Sequence, residues 1–578
     1  MYIKFIGAVS GSLTGSCTWL YHAESDVHIL VDCGMFQGEE DSDWKNQQNF
    51  PFQPSKIKYV LLTHAHLDHC GLIPKLYNEG FKGNVLTTQA TAELATLIME
   101  DAAKIGSIYK EIDVKKVNFE FIDNPEEKRH SPKKIDEDIY VTFLRNSHIL
   151  GASSIHVSWS DEKKRPKSIL FTGDVGCNFR DSEYLPLLKA NYKPQPLTNY
   201  IVIESTYGDK VRDKKFKNEK NRIKEITNIL GETVLKNKGK LIVPAFALHR
   251  TQELVFDFFN ILTNELPLSE YKGLLGDRAY NEKSGYHKWE RTIEINYISP
   301  LAAAITDIYS KHLPMEVSRA KNDEHETKYK YLNSLALTSL KEEEITSIYS
   351  KRYITEGHTI KKKKEISENV DVVIASSGMG NFGQIKDIIK ESISNKNNTI
   401  LLTGYVSPNS LCGQIKSIWN SDNNIKELKI DGKKHFINAK VADISNYYSA
   451  HADSDMLVDY IFKIDSINKN NNELPDTKLF INHGNIKAKE KLKDKIKLRA
   501  TENITGERLV SDVHIATKVD WYNLNEGYYE EAFEPNAAVG GSQINIEKLL
   551  KELIDIQKKS LKDIEIIKQR LLILSKKT

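Results

Sequence analysis

The chain has 578 residues, which is too long for one ordinary hydrophobic core and predicts two or three domains. Hydrophobic residues make up 40% and charged residues 28% of the sequence, as is typical of a soluble globular protein. The formal net charge is only +2, because 81 basic residues face 79 acidic ones. Any nucleic-acid site must therefore be a local basic cleft, since the surface as a whole is not basic.

The cysteines and the first residues indicate the compartment. The five cysteines are scattered, their number is odd, and no CxxC motif occurs. This pattern argues against a disulfide framework and favours a reducing environment. Residues 1–7 are typical of a strand rather than of a signal peptide, and no segment approaches the ~18 apolar residues of a membrane span. We therefore expect a cytoplasmic protein.

The pattern of elements changes along the chain. Residues 1–200 are typical of short strands with two helices, whereas 201–430 alternate strands and helices, which predicts an α/β domain with a largely parallel sheet. Residues 431–525 return to short strands, and 526–543 have the composition of a linker. Buried strands are predicted at 57–62, 168–172, 201–203, 240–243, 370–374, 399–402 and 478–482, and a helix at 88–110.

The last segment, 544–578, is predicted to be one charged helix. Seven of nine alternating a and d positions in it are apolar, which suits a short coiled coil or a helix docked on a partner. The protein would then be a homodimer or bind a partner protein through this helix. A helix packed on its own chain is the alternative, and the sequence does not choose between them.

The strongest chemical signal is the HxHxDH run that follows the predicted strand at 57–62. Its four potential metal ligands are His64, His66, Asp68 and His69. Imidazole and carboxylate groups are good zinc ligands. His64 and His66 share one side of an extended segment, and Asp68 and His69 then begin a turn that can face a second ion. A polar loop that happens to be rich in histidine is the alternative, and the order of residues disfavours it.

Two further ligands are candidates because they follow predicted strands. His148 comes after the strand at 140–144, and Asp174 ends the strand at 168–172, where a bridging carboxylate could lie. Each is weak evidence alone, since a single histidine at a strand end is usually structural. Together with the HxHxDH run, and in this order along the chain, they are a specific indication of a two-metal site.

These motifs resemble the successive motifs of the metallo-β-lactamase superfamily. The resemblance implies a four-layer αβ/βα sandwich with two zinc ions at one edge. It also implies that one zinc is held by His64, His66 and His148, the other by Asp68 and His69, with Asp174 bridging them. Asp32 matches the first motif of the superfamily, an aspartate that supports the ligands by hydrogen bonding.

The second half of the sequence resembles the β-CASP nucleases, which carry an α/β domain inserted into the metallo-β-lactamase fold. The first β-CASP motif is the segment 201–209, which contains Glu204, and the resemblance to the family as a whole covers about residues 1–500. Later matches follow in order at 243–247, Arg250, 252–254, 299–302, 376–379, 404–405, 448–453 and 482–484. The sequence departs from the family pattern at Lys210, Arg212, His249, Ile298 and Asn485, and none of these removes a metal ligand.

The last motif separates substrates within the family. In the branch that acts on RNA it is a histidine that completes the second zinc site, and in the DNA-repair branch it is typically apolar. Here it is His483. The chain therefore resembles the pre-mRNA 3′-end-processing endonuclease and its archaeal and bacterial relatives. This resemblance implies a zinc-dependent ribonuclease that is endonucleolytic, with 5′–3′ exonuclease activity as an additional option.

The resemblance also implies the roles of the remaining site residues. Asp68 belongs to the catalytic set, His451 would give a proton to the leaving oxygen, and Glu204 would orient and charge it. The inserted domain would close over the metals as a slot that admits single-stranded RNA. Candidate phosphate contacts are Arg250 and the backbone near Ser377, Gly378 and Gly404.

Three other functions fit parts of the sequence. A β-CASP nuclease acting on DNA is disfavoured by His483, and a thioesterase-like hydrolase by the motifs after residue 200. A non-catalytic scaffold of an RNA-processing complex is disfavoured because all seven ligands are retained. Cleavage of matched RNA and DNA, and a zinc assay, would separate these alternatives.

Overall fold

The computed structural model describes most of the chain outside the inserted region and the C-terminal segment. The described residues are 1–9, 12–122, 132–179, 182–188, 190–191, 196–263, 293, 295–313, 354–356, 370–423, 425–464, 476–502, 504–518, 520–531 and 533–535. The predicted C-terminal helix at 544–578 lies outside these ranges.

Two large sheets form the body of the molecule. The first has eight strands in the order β23-β22-β1-β2-β3-β4-β5-β6, and the second has seven in the order β21-β20-β11-β10-β9-β8-β7. The strands of the first are β1 Tyr2–Phe5, β2 Thr18–His22, β3 Val27–Val31, β4 Ile57–Leu61, β5 Asn84–Thr87, β6 Phe119–Phe121, β22 Trp521–Asn523 and β23 Tyr528–Glu530. Those of the second are β7 Lys133–Asp136, β8 Ile139–Arg145, β9 Ser153–Ser160, β10 Pro166–Phe171, β11 Tyr200–Ile203, β20 Thr477–Ile481 and β21 Val510–Ile515.

A third sheet of six strands lies within the inserted region. Its order is β14-β13-β15-β12-β16-β19, and all its pairings are parallel, as predicted. Its strands are β12 Leu241–Pro244, β13 Ile295–Ile298, β14 Ile354–Glu356, β15 Val372–Ala375, β16 Thr399–Leu402 and β19 Lys440–Asp443. A separate hairpin joins β17 Glu427–Ile430 to β18 Lys433–Phe436.

Helices cover the outer faces of the sheets. Within the described ranges, the α-helices are Ser42–Gln47, Leu67–Cys70, Ile73–Asn78, Gln89–Ile105, Glu111–Val114, Glu219–Leu230, Arg250–Thr263, Pro300–His312, Gln384–Ser392, Leu411–Trp419, Ser454–Phe462 and Ile486–Thr501. Short 3₁₀ turns occur at Pro54–Lys56, Lys214–Phe216 and Ser445–Tyr447, and a π-helical turn at Gly231–Lys236 continues one helix.

The core shows the layering that the sequence predicted. One apolar cluster lies between the first two sheets and joins residues of β1 and β3 to residues of β9, β10 and β20. Two other clusters pack helices on the outer faces, Gln89–Ile105 against the first sheet and Ser454–Phe462 against the second. This αβ/βα arrangement, with a further α/β unit, confirms the predicted fold class.

The seven predicted buried strands are present. The predicted domain boundaries at 200 and 430, however, each separate a strand from the sheet that it belongs to. Tyr200–Ile203 pairs with β10 and β20 in the second sheet, whereas Lys440–Asp443 belongs to the third. A division after Ile203 and after Asp443 keeps each sheet whole, and we propose it in place of boundaries at 200 and 430. The physical reason is that strand patterning does not reveal which sheet a strand joins.

Two further expectations need correction. Tyr528–Glu530 lies inside the predicted linker 526–543, yet it is a strand of the first sheet paired with Trp521–Asn523. Phe533 stacks on Tyr2 with ring centroids 4.0 Å apart, so packing extends beyond this strand. The region read as short strands also holds the helix Ile486–Thr501, whose many charged residues leave a weak amphipathic pattern.

The cysteines and helices add two observations. All five cysteines are buried and free, which agrees with the absence of a disulfide framework. Within the described ranges, no helix combines the length and the apolar character that crossing a membrane requires.

Candidate metal centre

The carboxyl ends of strands from both large sheets meet at one edge of the sandwich. The HxHxDH run follows β4, with Asp68 and His69 in the short helix Leu67–Cys70. His148 follows β8, Asp174 follows β10, and His483 follows β20. The fold therefore brings together, from four separate loops, all seven residues that the sequence proposed as ligands.

A first group of ligand atoms contains three histidines and one carboxylate. His66 Nδ1 lies 3.1 Å from His64 Nε2 and 3.1 Å from His148 Nε2. Asp174 Oδ2 lies 3.5 Å from His64 Nε2 and 3.6 Å from His148 Nε2. The ligand atoms of these four residues are all within 4.8 Å of one another, which is compact enough to surround one ion.

A second group lies beside the first and shares Asp174. His483 Nε2 is 3.1 Å from Asp68 Oδ2, and these two residues form a potential metal group with His69. Asp174 Oδ1 lies 3.3 Å from His69 Nε2 and 3.6 Å from His483 Nδ1. The two oxygens of Asp174 thus face different groups, which is the geometry that a bridging carboxylate needs.

Asp32 supports this centre from behind. Its Oδ2 lies 2.7 Å from His69 Nδ1, and its Oδ1 accepts a hydrogen bond of 2.8 Å from the backbone N–H of Thr63. The Thr63 hydroxyl also lies 3.0 Å from His64 Nδ1. Asp32 and Thr63 therefore orient the rings of two candidate ligands, and the role of Thr63 had no signal in the sequence beyond its place before His64.

Burial keeps the first group of histidines neutral. It lowers the pKa of His64 to about 4 and that of His66 to about 3, and it lowers the pKa of His148 well below its ordinary value. A neutral imidazole has a free lone pair for a metal, whereas a protonated one does not. These three side chains are therefore in the protonation state that metal binding requires.

The carboxylates are held ionised. Burial alone would raise the pKa of Asp174, but the charges of His483 and His69 outweigh it and lower that pKa well below its ordinary range. The pKa of Asp68 is lowered in the same way, because its hydrogen bond with His483 and the charge of His69 outweigh the effect of burial. A buried carboxylate, Asp174, and a partly buried one, Asp68, lie among five histidines and make a site for a cation.

The donor set fits a divalent metal. Among the described residues, Asp174 Oδ1 is buried without a hydrogen-bond partner, although a carboxylate oxygen rarely stays unsatisfied inside a protein. Paired imidazole nitrogens also face each other across 3.1 Å in the first group. A bound cation would satisfy the oxygen and the nitrogens together, and nitrogen and oxygen donors of this kind are suited to zinc.

His451 and Glu204 form a pair at the border of this centre. His451 Nδ1 lies 3.2 Å from Glu204 Oε1, and Glu204 is 1% exposed. The backbone N–H groups of Val175 and Thr206 donate to the two oxygens of Glu204 at 2.6 and 3.1 Å. Burial lowers the pKa of His451, but the charge and hydrogen bond of Glu204 outweigh it and raise it to about 9.

The main chain of His451 is also held in place, by residues that the sequence did not identify. Arg212 Nη2 donates to the carbonyl of His451 at 3.2 Å, and the Cys177 thiol donates to the same carbonyl at 2.7 Å. Arg212 was visible only as a departure from the family pattern. Cys177 had no signal, because its contact partner lies far away along the chain.

The candidate substrate contacts have unexpected surroundings. Arg250 is 8% exposed, and its guanidinium donates to Glu253 and to the carbonyl of Tyr448. Gly378 and Gly404 both face the ring of Phe246, and the hydroxyl of Ser377 beside them is buried. Phe246 itself, which is 41% exposed, was not singled out in the sequence.

Two facing sheets with a histidine–aspartate metal centre at their shared edge define a metal-dependent hydrolase of the metallo-β-lactamase fold. Comparison with family models agrees. The model of the metallo-beta-lactamase superfamily matches residues 11–188, and that of the Beta-Casp domain matches residues 274–415. The chain therefore carries a metallo-β-lactamase domain and a β-CASP domain.

Several named proteins are similar to this chain. A ribonuclease of Thermus thermophilus is 26% identical over 450 residues, which are 75% of this chain and 85% of that protein. A transcription termination factor, FttA, of Methanococcus maripaludis is 26% identical over 478 residues, 80% of this chain and 65% of the factor. An RNase J-like protein of Methanocaldococcus jannaschii is 27% identical over 442 residues, 75% of this chain and 84% of that protein.

Proposed function

We propose that this protein is a zinc-dependent ribonuclease that hydrolyses phosphodiester bonds of single-stranded RNA. Cleavage would be endonucleolytic, alone or together with 5′–3′ exonucleolytic trimming. The observation that carries the proposal is the double group of seven ligand residues, completed by His483 beside Asp68 at 3.1 Å. The similarity to proteins named ribonuclease and RNase J-like supports RNA as the substrate.

Two zinc ions would be held by this chain's own residues. His64, His66 and His148 would bind one ion, Asp68, His69 and His483 the other, and Asp174 both. Ions bound there would activate a water molecule and neutralise the charge of the scissile phosphate. Asp32 would keep His69 oriented through its contact of 2.7 Å.

His451 would supply the proton that the leaving oxygen needs. Its Nδ1 faces Glu204 and its ring borders that of His148 at 4.6 Å, so Nε2 is the nitrogen left to meet the substrate. Glu204 keeps the imidazole charged and fixes its orientation, while its own oxygens stay anchored by two backbone N–H groups. The pair thus matches the requirements of a general acid and its orienting carboxylate.

The test uses end-labelled single-stranded RNA and a DNA of the same sequence, with and without a chelator. We expect cleavage of the RNA by the wild-type protein, little cleavage of the DNA, and none with chelator. Asp68→Ala and His69→Ala should abolish cleavage without loss of fold. Asp387→Ala is the matched control, since that carboxylate is 70% exposed in its ion pair with Lys390. DNA cleavage equal to that of RNA, or wild-type activity of Asp68→Ala, would refute the proposal.

A further inference from the structure

Exposed aromatic side chains gather at one edge of the third sheet. The strands β15, β12 and β16 are parallel neighbours, so their carboxyl ends meet at the same edge. Phe246 follows β12, Phe382 follows β15 and Tyr405 follows β16, and they are 41%, 75% and 58% exposed. We call these three side chains the aromatic edge. In open α/β sheets, ligands bind outside the carboxyl ends of the strands.

The ring of Phe246 is braced from behind by two glycines. A methyl group added at Gly378 would lie 2.9 Å from two ring carbons, closer than packing allows, so a side chain there would displace the ring. A methyl group at Gly404 would lie 3.5 Å from the ring, an ordinary contact. Phe246 therefore has one supported side and one exposed side, unlike a surface side chain that rotates freely.

The segments that carry Phe382 and Tyr405 are tied to each other. The backbone N–H of Leu411 donates to Asn381 Oδ1 at 2.8 Å, and that of Ser407 donates to Met379 Sδ at 3.3 Å. The loops after β15 and β16 therefore hold a defined relation to each other. The backbone that carries Phe382 and Tyr405 is thus held in place, which lowers the entropic cost of binding a ligand there.

The segment that carries Phe246 is linked to the segment that carries the candidate proton donor. The carbonyl of Phe246 accepts hydrogen bonds from Thr251 N at 3.2 Å and Thr251 Oγ1 at 2.8 Å, at the start of the helix Arg250–Thr263. Arg250 in turn bonds the carbonyl of Tyr448, three residues before His451. One continuous set of contacts thus links Phe246 to the catalytic centre.

We propose that the aromatic edge binds bases of single-stranded RNA by stacking, close to the scissile phosphate. The inference rests on the proposed function and adds a binding surface to it. An aromatic ring stacks on any base, which gives affinity without sequence specificity, whereas bases in a duplex are already stacked on each other. Base stacking would add to whatever affinity the phosphate contacts provide.

The first test compares variants on one single-stranded RNA. We expect Phe246→Ala to raise KM about tenfold, as loss of one base–aromatic stack does, with kcat little changed. Gly378→Ala should have the same effect because it displaces the ring, and Phe246→Tyr should restore a wild-type KM. Phe436→Ala is the matched control, since that phenylalanine is 53% exposed on the separate β17–β18 hairpin. Melting temperature and zinc content should be unchanged in all variants.

The second test removes the base instead of the ring. The substrates are RNAs that each contain a single abasic ribose, and the KM of the wild-type protein is measured for each. An abasic position next to the cleaved bond should raise this KM about as much as Phe246→Ala does. In the Phe246→Ala variant the same abasic position should not raise KM any further. A wild-type KM for both Phe246→Ala and Gly378→Ala, or an undiminished abasic effect in Phe246→Ala, would overturn the inference.

Failure of the proposed function gives a different result. If the wild-type protein cuts no RNA, that function is wrong, and the aromatic edge is then tested by fluorescence anisotropy with a labelled single-stranded RNA. Weaker binding by Phe246→Ala and Gly378→Ala, but not by Phe436→Ala, would support the stacking surface. Equal binding by all four proteins, or no binding at all, would refute it.

Discussion

Two histidines at strand ends have different surroundings in the catalytic centre. His483 presents Nε2 to Asp68 at 3.1 Å and Nδ1 to Asp174 at 3.6 Å, so both of its nitrogens face candidate ligands. His451 instead presents Nδ1 to Glu204 at 3.2 Å and lies 4.0 Å from Asp174. The first arrangement suits a metal ligand, and the second suits a proton donor.

At this scale we predict that His451→Ala slows cleavage by a factor on the order of 10²–10⁴ and still binds zinc as the wild type does. His483→Ala should lose zinc first, and excess zinc should restore part of its activity. Metal content by mass spectrometry and single-turnover rates measure the two effects separately.

The control for that prediction is a nitrophenyl phosphodiester, whose leaving group needs no proton. His451→Ala should recover rate on this substrate, whereas His483→Ala should not. Rescue of His451→Ala by excess zinc, without rescue of His483→Ala, would mean that the two roles are reversed.

At the scale of elements, a buried ion pair joins two helices to the segment that carries His451. Arg222 Nε and Nη2 donate to the two oxygens of Asp257 at 2.8 and 3.1 Å, and both side chains are 1% exposed. The Tyr448 hydroxyl donates to the same carboxylate. The helices Glu219–Leu230 and Arg250–Thr263 thereby hold Tyr448 in place, three residues before His451.

We predict that Asp257→Ala lowers the free energy of unfolding by about 3–5 kcal/mol, because the Arg222 charge stays buried without its partner. The double variant Arg222→Met/Asp257→Leu should lose much less, since it removes both charges. Denaturant unfolding followed by circular dichroism makes the comparison. An equal loss in the single and double variants would show that packing, rather than the charge, sets the cost.

A second contact between elements links the inserted region to the metal centre. Tyr309, in the helix Pro300–His312, places its hydroxyl 2.9 Å from His249 Nδ1 and accepts a bond of 3.4 Å from the N–H of Leu150. Leu150 follows His148 by two residues. The same helix also pairs His312 with Glu93 at 3.0 Å, on the helix Gln89–Ile105.

We predict that Tyr309→Phe lowers the free energy of unfolding by about 1–3 kcal/mol, because it removes a partner from two buried polar groups. It should also weaken zinc binding by the first group of ligands, since the loop of His148 loses an anchor. Denaturant unfolding and competition with a zinc chelator measure the two effects. Wild-type values in both would show that the contact is not used.

At the scale of the whole molecule, metal binding couples separate loops of the fold. Ligands from the ends of β4, β8, β10 and β20 converge on one centre, so metal bound to the folded state stabilises all of them at once. We predict that chelation abolishes cleavage and lowers the melting temperature, and that zinc restores both. At a thousandfold excess over Kd the stabilisation is about 4 kcal/mol.

Calorimetry or a dye-based melt measures the shift, and Asp68→Ala is the informative comparison. That variant lacks one ligand, so the difference in melting temperature between its zinc-bound and chelated forms should be smaller than that of the wild type. An identical shift in both proteins would show that the stabilising metal does not use Asp68 as a ligand.

The segment 544–578 lies outside the described residues and stays a prediction from the sequence. We expect its deletion to leave RNA cleavage intact and to change the molecular mass in solution or the binding of a partner, measured by light scattering. An unchanged mass with a strongly lowered melting temperature would mean that the helix packs on its own chain.

Local patterns in the sequence predicted six of the candidate ligands, and the resemblance to a known family predicted His483 and the fold class. The HxHxDH run, His148, Asp174 and His483 each follow a strand whose apolar pattern is visible within a few residues. Ligand chemistry depends on residue type, and the position of a ligand depends on where its strand ends. Both properties are local, so the sequence by itself determined them.

Only the tertiary structure decided which distant groups touch. It placed Tyr200–Ile203 in the second sheet, buried Arg250 against the carbonyl of Tyr448, and set the ring of Phe246 on Gly378. These contacts join residues far apart in the chain, and their energy comes from packing and burial rather than from local preference. No pattern in a short segment carries that information, because a side chain's burial depends on elements folded elsewhere.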